Sequence, residues 1–113
     1  MEEIPIPESI STKEEILKKL KLEGLTPENK ELIGKWFEGR RIKEKSASET
    51  VQTNIDLSDL YVAIGDFNEA ESCLSEAIYQ AQQEYDETGD ETNYKLYVLA
   101  QSKIIKLDEI RSK

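Results

Sequence analysis

Twenty-four carboxylates and no histidine bound the chemistry open to this chain. Without His, the commonest general base and metal ligand is missing. The one cysteine, Cys73, has no imidazole to activate it. It stands beside Leu74 and three residues after Ala70, the setting of a small core residue rather than of a reactive thiol. Asp56, Asp59 and Asp66 are spread along one helical stretch and its end, and they form no acid–base pair. Asp86-Glu87-Thr88-Gly89-Asp90-Glu91 has the composition of a calcium loop. It lacks the alternating ligand spacing and the distal bidentate Glu that an EF-hand needs. No glycine-rich phosphate loop occurs. The expectation is a protein that is not an enzyme, with no catalytic residue, metal site or cofactor.

Lys35-Trp36-Phe37-Glu38-Gly39-Arg40-Arg41-Ile42-Lys43-Glu44-Lys45 interleaves cations with aromatics. Such a run can grip phosphates and stack bases, which makes Lys35, Trp36, Arg40 and Arg41 a secondary candidate surface. A net charge of −9 weighs against nucleic acid as the partner. The charge is also unevenly placed. Residues 1–50 hold eleven acids and ten bases, residues 51–94 eleven acids and no base, and residues 95–113 five bases and two acids. The middle block repels nucleic acid and anionic membranes and attracts basic partners. It also offers a counter-surface for the basic helix, within the chain or across a homodimer.

These residues must be carried by helices. Charged residues make up 35% of the chain and hydrophobic ones 37%, enough for amphipathic helices with about three positions in seven facing inward. Five Gly and three Pro in 113 residues are too few for the turns of a sandwich or barrel. No apolar run reaches the ~18 residues of a membrane span. The N-terminus, with Pro5 and Pro7, does not read as a signal peptide. One cysteine makes no internal disulfide, so the expected compartment is the reducing cytoplasm.

Along the chain, residues 1–10 are expected to be extended and 11–113 to form a single helical domain. Ser11 with Glu14, or Thr12 with Glu15, offers a capping box for a helix of about 12–23, and Gly24 ends it. Thr26, Pro27 and Glu28 start a helix that runs to at least 44. A break near 46–49, with Ser46 and Glu49 as a new cap, is favoured over one helix from 27 to 64. Leu57, Leu60, Tyr61 and Ile64 form one apolar face, and Val51, Ile55 and Val62 another. A helix apolar on two sides belongs between neighbours. Gly65-Asp66 turns the chain, and the next helix carries Phe67, Ala70, Leu74, Ala77, Ile78, Ala81 and Tyr85 on one side. After the 86–90 loop, a last helix of about 91–111 points Tyr97, Ala100, Ile104 and Leu107 inward, with Leu96, Leu99, Ile105 and Ile110 broadening that face.

Asn54 through Gln82, NIDLSDLYVAIGDFNEAESCLSEAIYQAQ, resembles a tetratricopeptide repeat (TPR) of the longer-helix kind found in kinesin light chains. The repeat's marker positions fall on Asn54, Leu57, Ser58, Tyr61, Ala70, Leu74, Ala77 and Gln82. Five of them match in type, while Asn54, Ser58 and Gln82 depart from the pattern. The Gly65-Asp66-Phe67-Asn68-Glu69-Ala70 turn is close to the family's Gly-Asp-Tyr-x-Glu-Ala. The resemblance implies an all-α fold: an antiparallel helix bundle, or a TPR-like right-handed superhelical fragment of four to five helices. The TPR-like pair would span 51–85 and helix 91–111 would act as a cap with a polar outer face.

The family lines its concave groove with the first helix of each pair. Carried over residue by residue, that face is Gln52, Ile55, Asp59, Val62 and Ala63, with Ile55 at least partly exposed and Asp59 pairing with a basic partner residue. The function so implied is an adaptor or scaffold that binds a protein or peptide of basic character. The rival readings are an acidic mimic of nucleic acid lodged in another protein's basic site, and a small structural subunit of an assembly.

Overall fold

The computed structural model describes residues 13–112. The extended segment expected over 1–10 and the capping box at Ser11 and Thr12 lie outside the described residues. The chain runs through five helices: α1 (Lys13–Glu23), α2 (Pro27–Lys43), α3 (Ala47–Ala63), α4 (Phe67–Thr88) and α5 (Glu91–Arg111). No strand occurs among the described residues. The fold is all-α, as the helical spacing requires.

Each junction has a local cause. Gly24 takes φ 75° and its N–H donates to the Leu20 carbonyl, closing α1. Thr26 then caps α2 by accepting from the Asn29 N–H at 3.0 Å, with Pro27 in the first turn. The stretch 27–64 is two helices. At the junction the Ser46 hydroxyl accepts from the Glu49 N–H, and the Glu49 carboxylate accepts from the Lys45 N–H at 2.6 Å. Two backbone donors are thereby satisfied where a continuous helix would have used carbonyls.

The α3–α4 turn is a Schellman motif. Gly65 sits at φ 82°, its N–H donates to Val62, and the Asp66 N–H donates to Tyr61. Asp66 then caps α4.

Packing centres on α3, which touches the other four helices, while α4 also packs along α5. The apolar positions of α3 divide between two cores. Val51 and Ile55 join Ala70, Leu74, Ala77 and Ala81 of α4 and Leu96, Ala100 and Leu107 of α5. Leu57, Leu60 and Ile64 join Ile16 and Leu20 of α1 and Ile33 and Trp36 of α2. Tyr61 packs against both clusters. The overall dimensions of 44 × 41 × 17 Å describe a slab. Its thin direction holds about two layers of helices at the usual ~8–10 Å spacing.

One expectation for α5 is corrected. Leu99, Ile105 and Ile110 do not broaden the buried face, and the outer face is not polar. Tyr94, Val98, Leu99, Ile105 and Ile110 are all exposed, between 39% and 59%. The physical reason is that α5 has neighbours on one side only. It packs through Leu96, Ala100 and Leu107, flanked by Tyr97 and Ile104, and the opposite arc stays largely open, with Tyr94 at its edge 5.4 Å from the Tyr85 ring of α4.

The three alanines of α4 are fully buried, which lets that helix approach its neighbours closely. Ala77→Leu forces extra methyl groups into this contact. The expected cost is about 1–3 kcal/mol, read as a lower urea midpoint with an unchanged slope.

Candidate functional site

Asp56 and Asp59 lie one helical turn apart on α3, so each repels the other. Three other helices supply the cations that hold them. Lys13 of α1 donates to Asp56 Oδ1 at 3.0 Å and to Asp59 Oδ2 at 2.6 Å. Arg40 of α2 reaches Asp56 Oδ2 at 3.2 Å. Lys103 of α5 donates to both oxygens of Asp59, at 3.0 and 3.2 Å. Gln52 adds a donor to Asp56 Oδ1 at 3.0 Å. All the charged partners are at least half-buried. Burial pulls the Lys13 ammonium down, but its bonds to Asp59 and Asp56 outweigh that and hold it above its ordinary 10.5.

The expected groove residues are therefore largely occupied within the molecule. Gln52 and Asp59 belong to this network. Ile55 is 1% exposed and sits in the core shared with α4 and α5. Its expected role as a partner contact is corrected, because only the chain's own side chains reach it. Val62 is half-buried against the same core, and Ala63 packs against the other.

The secondary surface is also taken up. Trp36 is 4% exposed, with the Arg40 guanidinium 4.9 Å above its ring. Arg41 lies 5.4 Å from the Phe37 ring and 3.4 Å from Glu44. Lys35 stays exposed, 3.9 Å from Glu31. The basic helix does face the acidic block within one chain: besides Arg40 with Asp56, Lys30 lies 3.6 Å from Asp66. At the far end Arg111 donates to Glu71 and Asn68 at 2.6 Å each.

What remains is the opposite end of the acidic block. Ala47 and Thr50, from the start of α3, and Gln80, Gln83 and Glu84 of α4 line an open cavity of about 230 Å³. Glu76, Glu84, Asp86, Glu87 and Glu91 make no ion pair among the described residues. Exposed Tyr79 lies beside the cavity and accepts from Gln83 at 3.1 Å.

Glu44 adds a second signal. Its Oε1 accepts from the Thr50 hydroxyl at 2.8 Å, while its Oε2 is buried with no donor. A buried acceptor without a partner is costly, and this one belongs to a group bonded to the cavity wall.

Sequence reasoning did not single out Glu44, Thr50, Gln80, Gln83 and Glu84 as a site. The missing base in 51–94 pointed at the block but not at this end of it. Lys13 and Lys103 could not have been chosen from sequence. They meet Asp59 from 46 and 44 residues away, and neither stands in a motif.

Among the described residues, no group of three or more His, Cys, Asp or Glu could hold a metal ion, and no helix is long and apolar enough to cross a membrane. Cys73 is half-buried against the α1–α2–α3 core. Burial first, then the charges of Glu69 and Asp66, push its thiol from 9.0 up to about 12. It is a protonated, unreactive thiol at neutral pH. Compared with known proteins, the chain matches no family model, no curated protein and no solved structure.

Two outcomes follow. Asp59→Lys sets a third cation against Lys13 and Lys103 and is expected to cost about 1–3 kcal/mol, between the values for exposed and for buried pairs; a thermal melt reads it. The second concerns pH. The folded thiol keeps its proton to about 12, whereas an ordinary thiol loses it near 9.0. The fold therefore loses stability as pH rises through that window, and not below it. Lys13 adds to the loss above 10.5, where the unfolded chain discharges first. Cys73→Ala should flatten the decline in melts taken across this range. Native protein at pH 8 should be alkylated by iodoacetamide far more slowly than the urea-unfolded chain.

Proposed function

We propose that this chain is a non-catalytic protein–protein interaction module of TPR-like build. It takes a basic segment of a protein or peptide partner into the cavity between the start of α3 and the C-terminal half of α4. The carrying observation is the cavity's chemistry. It is lined by Glu84, unpaired among the described residues, two glutamines and Thr50, and Thr50 is bonded to a Glu44 carboxylate whose second oxygen lacks a donor. A Lys or Arg side chain supplies the missing donors and the missing charge at once.

The TPR-like reading draws support from packing order. Helices α1 and α5 both pack against α3, α3 pairs most closely with α4, and that pair turns on a Gly65-Asp66 Schellman motif. The split of the acids favours an adaptor over a nucleic-acid mimic. Asp56, Asp59, Asp66 and Glu71 are neutralised by the chain's own bases, so no continuous outward array is left to imitate phosphates. Absent histidine and a protonated Cys73 support the lack of catalysis, and a lone thiol suits the cytoplasm.

Affinity capture from the source cell tests this, with wild type beside Glu84→Lys/Glu87→Lys. Glu87 is exposed and Glu84 is half-buried at the open cavity, and neither makes an ion pair among the described residues, so the melting temperature should change little. The expected result is a basic partner held by wild type, released by salt, and lost from the double variant. Capture undiminished in that variant would remove this cavity from consideration.

A further inference from the structure

Five of the nine exposed large hydrophobic residues lie on α5. A monomeric soluble domain seldom lines up such residues on one helix. Tyr94, Val98 and Ile105 recur at i, i+4 and i+11, so they form one stripe along a helix about 30 Å long. This stripe turns away from the core side of α5, which is marked by Leu96, Ala100 and Leu107. It is a different surface from the cavity between α3 and α4.

We propose that this stripe is a homodimer interface, in which α5 pairs with α5 of a second copy in antiparallel fashion about a two-fold axis. The pattern of the helix selects that occupant. A two-fold axis passing between Gln101 and Ser102 sets Val98 opposite the partner's Ile105, and Ile105 opposite the partner's Val98. In an antiparallel pair, residues on one flank of the stripe meet residues on the same flank of the other helix. Lys95 and Glu109 share a flank, and the same axis brings Lys95 level with the partner's Glu109 to within one residue.

Both side chains are exposed and neither makes an ion pair among the described residues. One axis thus matches an apolar pair and a charge pair, each made twice, as an isologous contact requires. Antiparallel pairing also sets the acidic first turn of each α5 beside the basic last turn of the other.

Sedimentation equilibrium of the full chain over a wide concentration range tests this. The wild type should dimerise, and Val98→Glu should be monomeric throughout. Lys95→Glu should weaken the dimer by repulsion from the partner's Glu109, and Lys95→Glu/Glu109→Lys should restore it. Circular dichroism melts taken at concentrations where the wild type is monomeric should stay close to wild type, since every substituted residue is exposed in the single chain. The reciprocal rescue separates a designed contact from loss of folding. A wild type that remains monomeric at the highest concentration overturns the proposal. So does a dimer indifferent to Val98→Glu, or a double variant no better than Lys95→Glu.

Discussion

Two aspartates one turn apart, at the centre of the middle helix, are the constraint on which the rest of this structure depends. Left alone, Asp56 and Asp59 would repel each other and resist burial. Their compensation comes from Lys13, Arg40 and Lys103, residues of three different helices. The network therefore does more than neutralise charge. Apolar contacts tolerate sliding, whereas a lysine bonded to two carboxylates at 2.6 and 3.0 Å does not. The polar cluster sets the register of α1, α2 and α5 on α3, and the two cores supply the bulk of the burial.

That clamp also sorts the molecule's charge. The bases that reach the acidic block close its middle and its far end, and among the described residues none reaches the end where α4 finishes. A long acidic run is thus left unpaired at one end without any acid being added. Field strength there comes from a shortage of cations, and from walls that limit solvent around Glu44 and Glu84. The same helix that donates Asp56 and Asp59 to the clamp donates Ala47 and Thr50 to the cavity. Whatever loosens α3 from its neighbours disturbs both.

The outer helix α5 shows the complementary case, an apolar surface created by a lack of neighbours. Its buried arc and its exposed arc are both rich in large aliphatic residues. In a longer stack of helices the second arc would be core. Here it is surface, so one helix both completes the core against α4 and presents an apolar face to solvent.

Much of the architecture was legible in the residues themselves. The helices, their caps at Thr26, Ser46 and Asp66, and the turn at Gly65 follow from interactions within a few positions of the chain. The two apolar stripes of α3 likewise announced a helix packed on both sides, and Cys73 read as a packed thiol from its neighbours. Only tertiary structure decided which stripe met which neighbour, and that decision moved the candidate site. Ile55 looked available because the tetratricopeptide resemblance put its face in a groove, yet α4 and α5 together bury it. Asp59 looked like a contact for a foreign base, yet two native lysines arrive from more than forty residues away. Hydrophobic periodicity marks the face that will be covered but carries no information about what covers it. Charge patterning shows an excess but not which members of it are cancelled. Periodicity and capping are local and are written in sequence. Partner choice among helices depends on packing distances between remote segments, and those exist only once the chain has folded.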